Sequence, residues 1–288
     1  MQNTMHVQKT RLLRFRHLFS LSTVLFIVLA SVSILFTLAQ YSTRTHAASS
    51  GSFTFTAAGD YSNSSETTAN LQLIANSGAQ FNLALGDLNY DPNLSAGQWS
   101  SYVKSNLPPN FPFEIIAGNE DTANMARFEA DLPNHLGNIS GTYGQEYYFD
   151  YPAGAPLARV IMISPAGILP GYNFSAGGSD YNWLSQQIDG ARSAGIPWVI
   201  VGMHEFCLAM GPIPCTIGAD LENLLLSKKV DLVLQAHIHS YQVSKQLALN
   251  STNCQSMTIG SYNAGCVANA SSKLTKGVGS VFVITATG

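Results

Sequence analysis

Short apolar runs alternate with amphipathic stretches along the chain after residue 51. Runs such as FNLALG, IPWVIVG and VDLVLQA have the length and composition of buried strands. The stretches DYNWLSQQIDGARSAG and GADLENLLLSKK have the spacing of amphipathic helices, and a further helix is expected at about residues 66–77. This alternation predicts an α/β fold in which helices flank one or two sheets.

Five of the predicted strands are followed at once by a side chain that can bind a metal. These residues are Asp60, Asp87, Asn119, His204 and the pair His237 and His239. Ligands of α/β proteins bind outside the carboxyl ends of the strands, so we expect these residues to meet in one crevice. His237 and His239 are two residues apart, which places them on the same face if both lie on a strand.

Each of these residues also has an ordinary explanation when it is considered alone. The aspartates and the asparagine are common in helix caps and turns, and a single histidine is often a hydrogen-bonded core residue. Together, however, they offer two carboxylates, one amide oxygen and three imidazoles. This mixture suits Fe, Zn or Mn and is too rich in nitrogen for Ca or Mg. Two ions about 3.5–4 Å apart that share one carboxylate would use all six.

The first 48 residues differ from the rest of the chain. Four basic residues precede an almost uncharged run over residues 18–39, which at about 1.5 Å per residue can cross a bilayer of roughly 30 Å. Small residues follow, so cleavage near Ala47 or Ala48 is an alternative to retention, and a buried helix is a third. We expect residues 1–48 to be a signal peptide or signal anchor and residues 49–288 to be the functional domain, either secreted or anchored to the membrane by the N-terminal segment.

The composition indicates a globular protein that does not bind nucleic acid. The chain is 46% hydrophobic and 11% charged, as expected for a globular protein with a large core. Five of the 14 basic residues and none of the 17 acidic ones lie in the first 48, so the remainder carries a net charge of −8. Such an acidic domain is a poor general binder of nucleic acid, and we expect no nucleic-acid partner.

The four cysteines allow three disulfide connectivities. We favour two local bridges, Cys207–Cys215 and Cys254–Cys266, because each would close a short loop. Two or more free thiols are the alternative, and the absence of a CxxC spacing disfavours a cysteine zinc site. Bridged cysteines would agree with an exported domain.

The blocks AAGDYS, LGDLNYD, AGNED, VGMHE and QAHIHSY resemble, in this order, the five motifs of the calcineurin-like metallophosphoesterases. The pattern is most similar to that of the purple acid phosphatases and their bacterial relatives, over roughly residues 53–245. The resemblance implies a two-sheet β-sandwich flanked by helices in four layers. It also implies that Asp87 bridges two metal ions, with a first site completed by Asp60, Tyr90 and His239 and a second by Asn119, His204 and His237.

Tyr90 carries the resemblance to the purple acid phosphatases in particular. Ser62 stands where other branches have a histidine, and a Tyr90 phenolate would replace that ligand. The resemblance then implies iron at the first site, with Zn, Mn or a second Fe beside it, and a coloured protein. An ordinary packed tyrosine is the alternative for Tyr90.

The resemblance implies an exported binuclear-metal phosphoesterase in which a metal-bound hydroxide attacks a small phosphate ester. An acid-phosphatase-like phosphomonoesterase is the leading interpretation. A phosphodiesterase or nucleotide hydrolase would use the same core. A catalytically degenerate metal-binding surface domain is a further alternative.

Two departures from the family pattern and several neighbouring residues bear on activity. Glu120 replaces the usual histidine and would act as a general acid if partly buried; an exposed loop acid is the alternative. Ala236 replaces a usual glycine, so a positive φ there would strain or displace the histidines. The candidate catalytic residues are Glu120, Asp121 and His204, and the substrate-binding candidates are Tyr61, Asn119 and His135. Asp91 and Glu205 adjoin candidate ligands and are expected to orient them; surface acids are the alternative.

Overall fold

The computed structural model describes residues 51–288. The predicted signal peptide or anchor at residues 1–48 lies outside the described residues. Within the described part, no helix combines the length and the apolar composition that crossing a membrane requires.

The structure contains twelve strands in the described part of the chain, in three sheets. The strands are β1 (Phe55–Ala58), β2 (Phe81–Ala84), β3 (Phe113–Ile115), β4 (Ile139–Thr142), β5 (Glu146–Tyr151), β6 (Ala158–Ile163), β7 (Trp198–Gly202), β8 (Leu232–Gln235), β9 (Tyr241–Val243), β10 (Gln246–Leu247), β11 (Val267–Asn269) and β12 (Val281–Thr285). The helices are α1 (Ser65–Asn76), α2 (Ala96–Asn106), α3 (Met125–Asp131), α4 (Ser179–Ser193) and α5 (Gly218–Ser227), and a 3-10 turn spans Ala264–Cys266.

The smaller main sheet has the order β1-β2-β3 and is parallel throughout. Parallel strands need crossover connections, which α1 and α2 supply. Helix α1 begins after Ser64, whose side chain accepts a hydrogen bond from the Thr67 backbone N–H. Helix α2 begins with a capping box between Ser95 and Gln98. Such caps fix where the chain turns back from each strand end.

The larger sheet has the order β4-β5-β6-β7-β8-β12-β9. Its central strands β6, β7, β8 and β12 are parallel, whereas β4, β5 and β9 are antiparallel to their neighbours. Strands β10 and β11 pair separately. Since the carboxyl ends of parallel strands meet at one edge, the loops after β7 and β8 emerge side by side.

Three apolar clusters separate four layers. One joins α1, α2 and α3 to the small sheet, and another joins α4 and α5 to the large sheet. The third lies between the two sheets and contains Phe81 and Leu83 of β2, Val160 and Met162 of β6, and Ile200 of β7. The predicted four-layer α/β sandwich is therefore confirmed.

Most of the predicted strands and helices are present, but some elements have too weak a pattern to be predicted. Helix α2 presents few large apolar residues, with Trp99 and Val103 buried on one face. Helix α3 and strands β9 to β11 are only two to seven residues long. These elements are held by tertiary packing, which a local sequence pattern does not report.

Both predicted disulfides, Cys207–Cys215 and Cys254–Cys266, are present, so the free-thiol alternative is wrong. The first closes a loop between β7 and α5, and the second closes a loop between β10 and β11. Bridges of this kind restrict loops that carry little regular structure.

Glu222 of α5 is buried, and neither of its carboxylate oxygens has a hydrogen-bond partner among the described residues. This burial raises the pKa of Glu222 to about 8. An unfolded glutamate has a pKa of about 4.3, so the folded chain binds the proton more tightly. The resulting stabilisation is fully present below about pH 4.3 and is lost as the pH rises towards 8.

Replacing Phe81 by alanine should lower the free energy of unfolding by about 3–5 kcal/mol, because the side chain is fully buried between the sheets. Its ring lies 5.4 Å from that of Phe55 and 5.0 Å from that of Tyr151. Denaturant unfolding measures the change. The matched control is Leu73→Ala on α1, where the side chain is 71% exposed and the expected change is within about 0.5 kcal/mol. Equal effects of the two substitutions would contradict the assignment of the inter-sheet core.

Replacing Glu222 by glutamine should flatten the fall of unfolding free energy between about pH 4.3 and pH 8, because glutamine has no proton to lose. Urea unfolding at a series of pH values measures this slope. The slope should decrease but not vanish, since burial also raises the pKa of Glu114 to about 8. A pH profile of Glu222→Gln that runs parallel to that of the unmodified protein would rule out a neutral, buried Glu222.

Candidate metal centre

The ends of β1 and β2 stay paired beyond the regular strands. The Asp60 backbone N–H donates to the Gly86 carbonyl at 3.0 Å, and the Tyr61 N–H donates to the Asp87 carbonyl at 2.8 Å. Asp60 and Asp87 have φ values of +64° and +46°, which non-glycine residues seldom adopt. This shared turn places the two aspartates next to each other at the edge of the small sheet.

The ends of β7 and β8 are joined in the same way. The Met203 N–H donates to the Leu234 carbonyl at 3.0 Å, and the Ala236 N–H donates to the His204 carbonyl at 2.9 Å. This pairing sets His204 beside His237, which has a φ of +66°. The backbone therefore delivers two imidazoles to the edge that faces the aspartates.

Two conditions considered for the histidine segment from its sequence are not met. His237 and His239 do not lie on a strand, because β8 ends at Gln235 and the chain bends immediately after it. The left-handed residue is His237 and not Ala236, so the alanine causes no backbone strain of the kind expected. The bend sends the two imidazoles to different parts of the site.

Glycines allow the strand ends to approach one another closely. A Cβ on Gly118 would lie 2.2 Å from the Asp87 backbone nitrogen and equally close to its Oδ1 atom. A Cβ on Gly86 would lie 2.6 Å from the Gly118 nitrogen and 2.9 Å from the His204 Cβ. Only residues without a side chain fit here, and Asp87 is held between the loops that carry the other candidate ligands.

One group of side chains, which we term the first set, consists of Asp60, Tyr90 and His239. The Tyr90 hydroxyl donates to Asp60 Oδ1 at 2.8 Å and lies 3.3 Å from His239 Nε2. His239 Nε2 lies 3.2 Å from the same Asp60 oxygen. The Tyr90 hydroxyl also donates to Asp87 Oδ2. The first set is therefore in direct contact with Asp87.

A second set consists of Asn119, His204 and His237. Asn119 Oδ1 lies 3.1 Å from His204 Nε2 and 2.9 Å from His237 Nδ1, and these two nitrogens are 3.1 Å apart. His204 Nε2 is also 3.2 Å from Asp87 Oδ2. Asp87, His204 and His237 offer ligand atoms that all lie within 4.8 Å of one another. Asp87 thus contacts both sets.

These separations suit metal coordination. Ligand bonds of about 2.1 Å place adjacent ligand atoms of an octahedral ion about 3 Å apart. The Leu85 carbonyl lies 2.9 Å from His204 Nδ1 and can only accept, so Nδ1 carries a hydrogen and a neutral His204 presents the lone pair of Nε2 to the second set. The residues present therefore fit two cations that share Asp87.

The charges of His204 and Asp87 depend on their contact with each other. Burial tends to lower the pKa of His204, but the Asp87 carboxylate outweighs it and raises the pKa to about 9. Burial tends to raise the pKa of Asp87, but the hydrogen bond and charge of His204 outweigh it and lower the pKa. Without a metal the two residues form an ion pair, so a cation at Nε2 must displace a proton.

Asp60 and Tyr90 respond to burial in the same direction. Burial raises the pKa of Asp60, although the charge of His204 opposes this effect. Burial and the neighbouring carboxylates of Asp60 and Asp87 raise the pKa of Tyr90 far above its usual value. A phenolate at Tyr90 therefore requires a nearby cation to offset the carboxylates.

The two acids after Asn119 have different surroundings. Glu120 is exposed, which agrees with the alternative of an exposed loop acid; its Oε1 accepts a hydrogen bond from Asn119 Nδ2 at 2.9 Å. Asp121 is buried, accepts from the Gly118 N–H at 2.8 Å and the Leu88 N–H at 2.9 Å, and has its pKa raised to about 7 by burial. Asp121 thus ties two loops together and is not open to a substrate.

Two of the three substrate-binding candidates are wrong. Tyr61 is fully buried, with its ring 6.1 Å from Trp99 and 5.8 Å from Phe113 in the core beneath α2. His135 lines a separate cavity at the amino end of β3, where its N–H donates to Glu114. Asn119 is exposed beside the second set and remains a candidate. Closeness in sequence to a candidate ligand does not show whether a side chain points into the core or lies at the other end of a strand.

Other residues support the ligands. The ring of Phe206 stacks on that of His237, with ring centroids 5.8 Å apart. The only sequence signal for this contact is that Phe206 lies two residues after His204. Glu205 lies near His237, whereas Asp91 accepts from the Asn93 N–H at 2.8 Å within its own loop. Glu205 is therefore the acid that is placed to orient a ligand.

The sequence of this chain is similar to proteins of a known family. The family described as calcineurin-like phosphoesterase matches residues 45–241. A purple acid phosphatase of Glycine max is 24% identical over 218 residues, which cover 68% of this chain and 45% of the relative. The chain therefore spans less than half the length of this curated relative.

Two solved structures align with most of this chain. The purple acid phosphatase PPD1 from yellow lupin (Lupinus luteus) seeds aligns with a TM-score of 0.53 and 14% identity, over 80% of this chain and 43% of that chain. GAP50, the anchor in the inner membrane complex of Plasmodium, aligns with a TM-score of 0.48 and 14% identity, over 81% of this chain and 70% of that chain. The lupin structure shows a shared fold.

Replacing Gly118 by alanine should weaken metal binding by about tenfold or more, because the new Cβ must displace Asp87 from the position where it contacts both sets. Chelator competition followed by elemental analysis measures the change. The control is Gly154→Ala, where a Cβ has no neighbour within 4 Å, and binding should be unchanged. Metal affinity that is equal in both variants would show that the close approach is not needed.

Proposed function

The chain belongs to the calcineurin-like phosphoesterase family, and on that premise we propose that it is a metal-dependent phosphatase that hydrolyses small phosphate esters as a phosphomonoesterase. The observation that carries the proposal is the convergence of the first and second sets on Asp87. Seven side chains from both sheets approach to about 3 Å, with the donor types that Fe, Zn and Mn accept.

The proposed ligands follow from this geometry. Asp60, Tyr90 and His239 would hold one ion, Asn119, His204 and His237 would hold the other, and Asp87 would bridge them. Such a pair polarises a phosphoryl oxygen and lowers the pKa of water enough to supply a nucleophile near neutral pH. We propose Fe in the first set, because the Tyr90 hydroxyl lies within it, with Zn, Mn or a second Fe in the second set.

The protein side chains would divide the remaining work. His204 is fully buried, so it would hold its ligand geometry and not touch the substrate. Asn119 is exposed and would present its amide to both the ion and the ester. Glu120 is exposed and hydrogen-bonded to Asn119 at the open side, and from there it would transfer a proton to the leaving oxygen without the partial burial expected of a general acid. Asp121 would position the loops of Leu88 and Gly118.

We also propose that the domain is exported, either secreted or anchored by residues 1–48. The two disulfides support this proposal, because such bridges persist in oxidising compartments. The basic, then apolar, composition of the first 48 residues supports it as well. The substrate would be a small phosphate ester and not a nucleic acid, because the net charge of −8 after residue 48 disfavours a polyanionic partner.

The proposal is tested by depleting the purified full chain of metal and reconstituting it with Fe, Zn or Mn. We expect two ions per chain and turnover of an aryl phosphate monoester only after reconstitution, with slower turnover of the matched aryl diester. Faster diester turnover would instead support the phosphodiesterase alternative. Two bound ions without turnover of either ester would contradict a phosphatase and favour a binding domain. A chain that binds no ion pair would contradict the metal centre itself.

Replacing Tyr90 by phenylalanine should abolish the visible absorption of the iron-loaded protein. The expected colour is a charge-transfer band between a phenolate ligand and iron, and phenylalanine cannot supply the phenolate. Optical spectra recorded at equal iron content measure the loss. The control is Tyr241→Phe, since that side chain is 71% exposed and lies on β9 outside both sets. A visible band that persists in Tyr90→Phe would show that Tyr90 is not the chromophoric ligand.

A further inference from the structure

A buried carboxylate lies behind the second set. Glu205 follows His204 directly and is only 6% exposed. Its Oε2 atom lies 4.0 Å from His237 Nε2 and has no hydrogen-bond partner among the described residues. A buried carboxylate oxygen without a hydrogen-bond partner is costly, so its position next to an imidazole nitrogen calls for an explanation.

The two ring nitrogens of His237 face different partners. Nδ1 lies 2.9 Å from Asn119 Oδ1 and 3.1 Å from His204 Nε2, whereas Nε2 faces Glu205. A neutral imidazole carries a hydrogen on only one nitrogen. If Nδ1 presents its lone pair to the second set, the hydrogen is on Nε2 and points towards the Glu205 carboxylate.

The backbone around Glu205 is fixed on both sides. The Gln235 side chain donates to the Glu205 carbonyl at 3.4 Å, and the Ala236 N–H donates to the His204 carbonyl at 2.9 Å. The Phe206 ring stacks on His237 and limits rotation of the imidazole. The carboxylate is thus built into the end of the large sheet and is not a mobile surface acid.

We propose that Glu205 is a positioning residue for His237: its carboxylate charge, 4.0 Å from Nε2, favours the tautomer with the hydrogen on Nε2 and so leaves the Nδ1 lone pair for the second metal ion. The inference rests on the proposed function, since it assumes a metal in the second set. Carboxylates that face the outer nitrogen of a metal-binding histidine increase metal affinity, and their loss costs about 10–100-fold.

The experiment compares Glu205→Ala, Glu205→Gln and Glu222→Gln in the full chain. Glu222 is the matched control, because it is also buried without a hydrogen-bond partner among the described residues but lies on α5 and on neither ligand loop. Zn²⁺ binding is measured by chelator competition with elemental analysis, and folding is checked by circular dichroism.

We expect Glu205→Ala to weaken one of the two bound Zn²⁺ ions by about 10–100-fold, Glu205→Gln to weaken the same ion by less, and Glu222→Gln to weaken neither. In iron-loaded protein the visible band of the first set should persist in both Glu205 variants, which separates loss of the second ion from general damage. If Glu205→Ala does not fold, Glu205→Gln carries the same comparison.

Wild-type affinity for both ions in the Glu205 variants would overturn the inference, and so would an equal loss in Glu222→Gln. Either result, obtained with an unmodified protein that binds two ions and turns over a phosphate ester, refutes the role of Glu205 alone. An unmodified protein that binds no ion pair refutes the proposed function and the inference with it.

Discussion

The close approach of the strand ends at Gly86 and Gly118 is the constraint on which the rest of the site depends. A Cβ at either position would overlap backbone atoms of the neighbouring loop. In the absence of that Cβ, Asp87 lies between the Tyr90 hydroxyl on one side and His204 Nε2 on the other. One carboxylate can therefore contact both sets, and side chains carried by the two sheets meet around it.

The four-layer fold brings the strand ends that carry the ligands close together. Parallel strands in both sheets bring their carboxyl ends to the same region, and the backbone pairing continues past β1 and β2 and past β7 and β8. Left-handed residues at Asp60, Asp87 and His237 then turn the side chains inward. The cost of these uncommon backbone angles is offset by the hydrogen bonds that the loops share with their neighbours.

The electrostatics follow from the same packing. Burial alone would keep Asp87 protonated and His204 neutral, yet their mutual contact reverses both tendencies. Without a cation, Asp87 and His204 therefore form an ion pair, and a divalent ion at His204 Nε2 would replace its proton. Burial and the carboxylates around Tyr90 likewise raise the pKa of its hydroxyl, so a phenolate forms there only beside a cation.

Much of this arrangement could be predicted from the sequence, because most candidate ligands follow an apolar run, the family resemblance assigns the others, and the disulfides close short loops. The errors have physical causes. The bend that takes His237 and His239 off the strand depends on a positive φ at His237 that no periodicity reports. Tyr61 points into the core although it adjoins Asp60, and His135 lies at the opposite end of β3. Orientation within a loop depends on packing between distant segments, and one strand's pattern does not contain it.

The most direct test of the shared carboxylate is anomalous X-ray scattering from crystals of the metal-loaded protein. The account predicts two anomalous peaks about 3.5–4 Å apart, one beside each set, with Asp87 in contact with both. A single peak, or peaks away from these seven side chains, would contradict it.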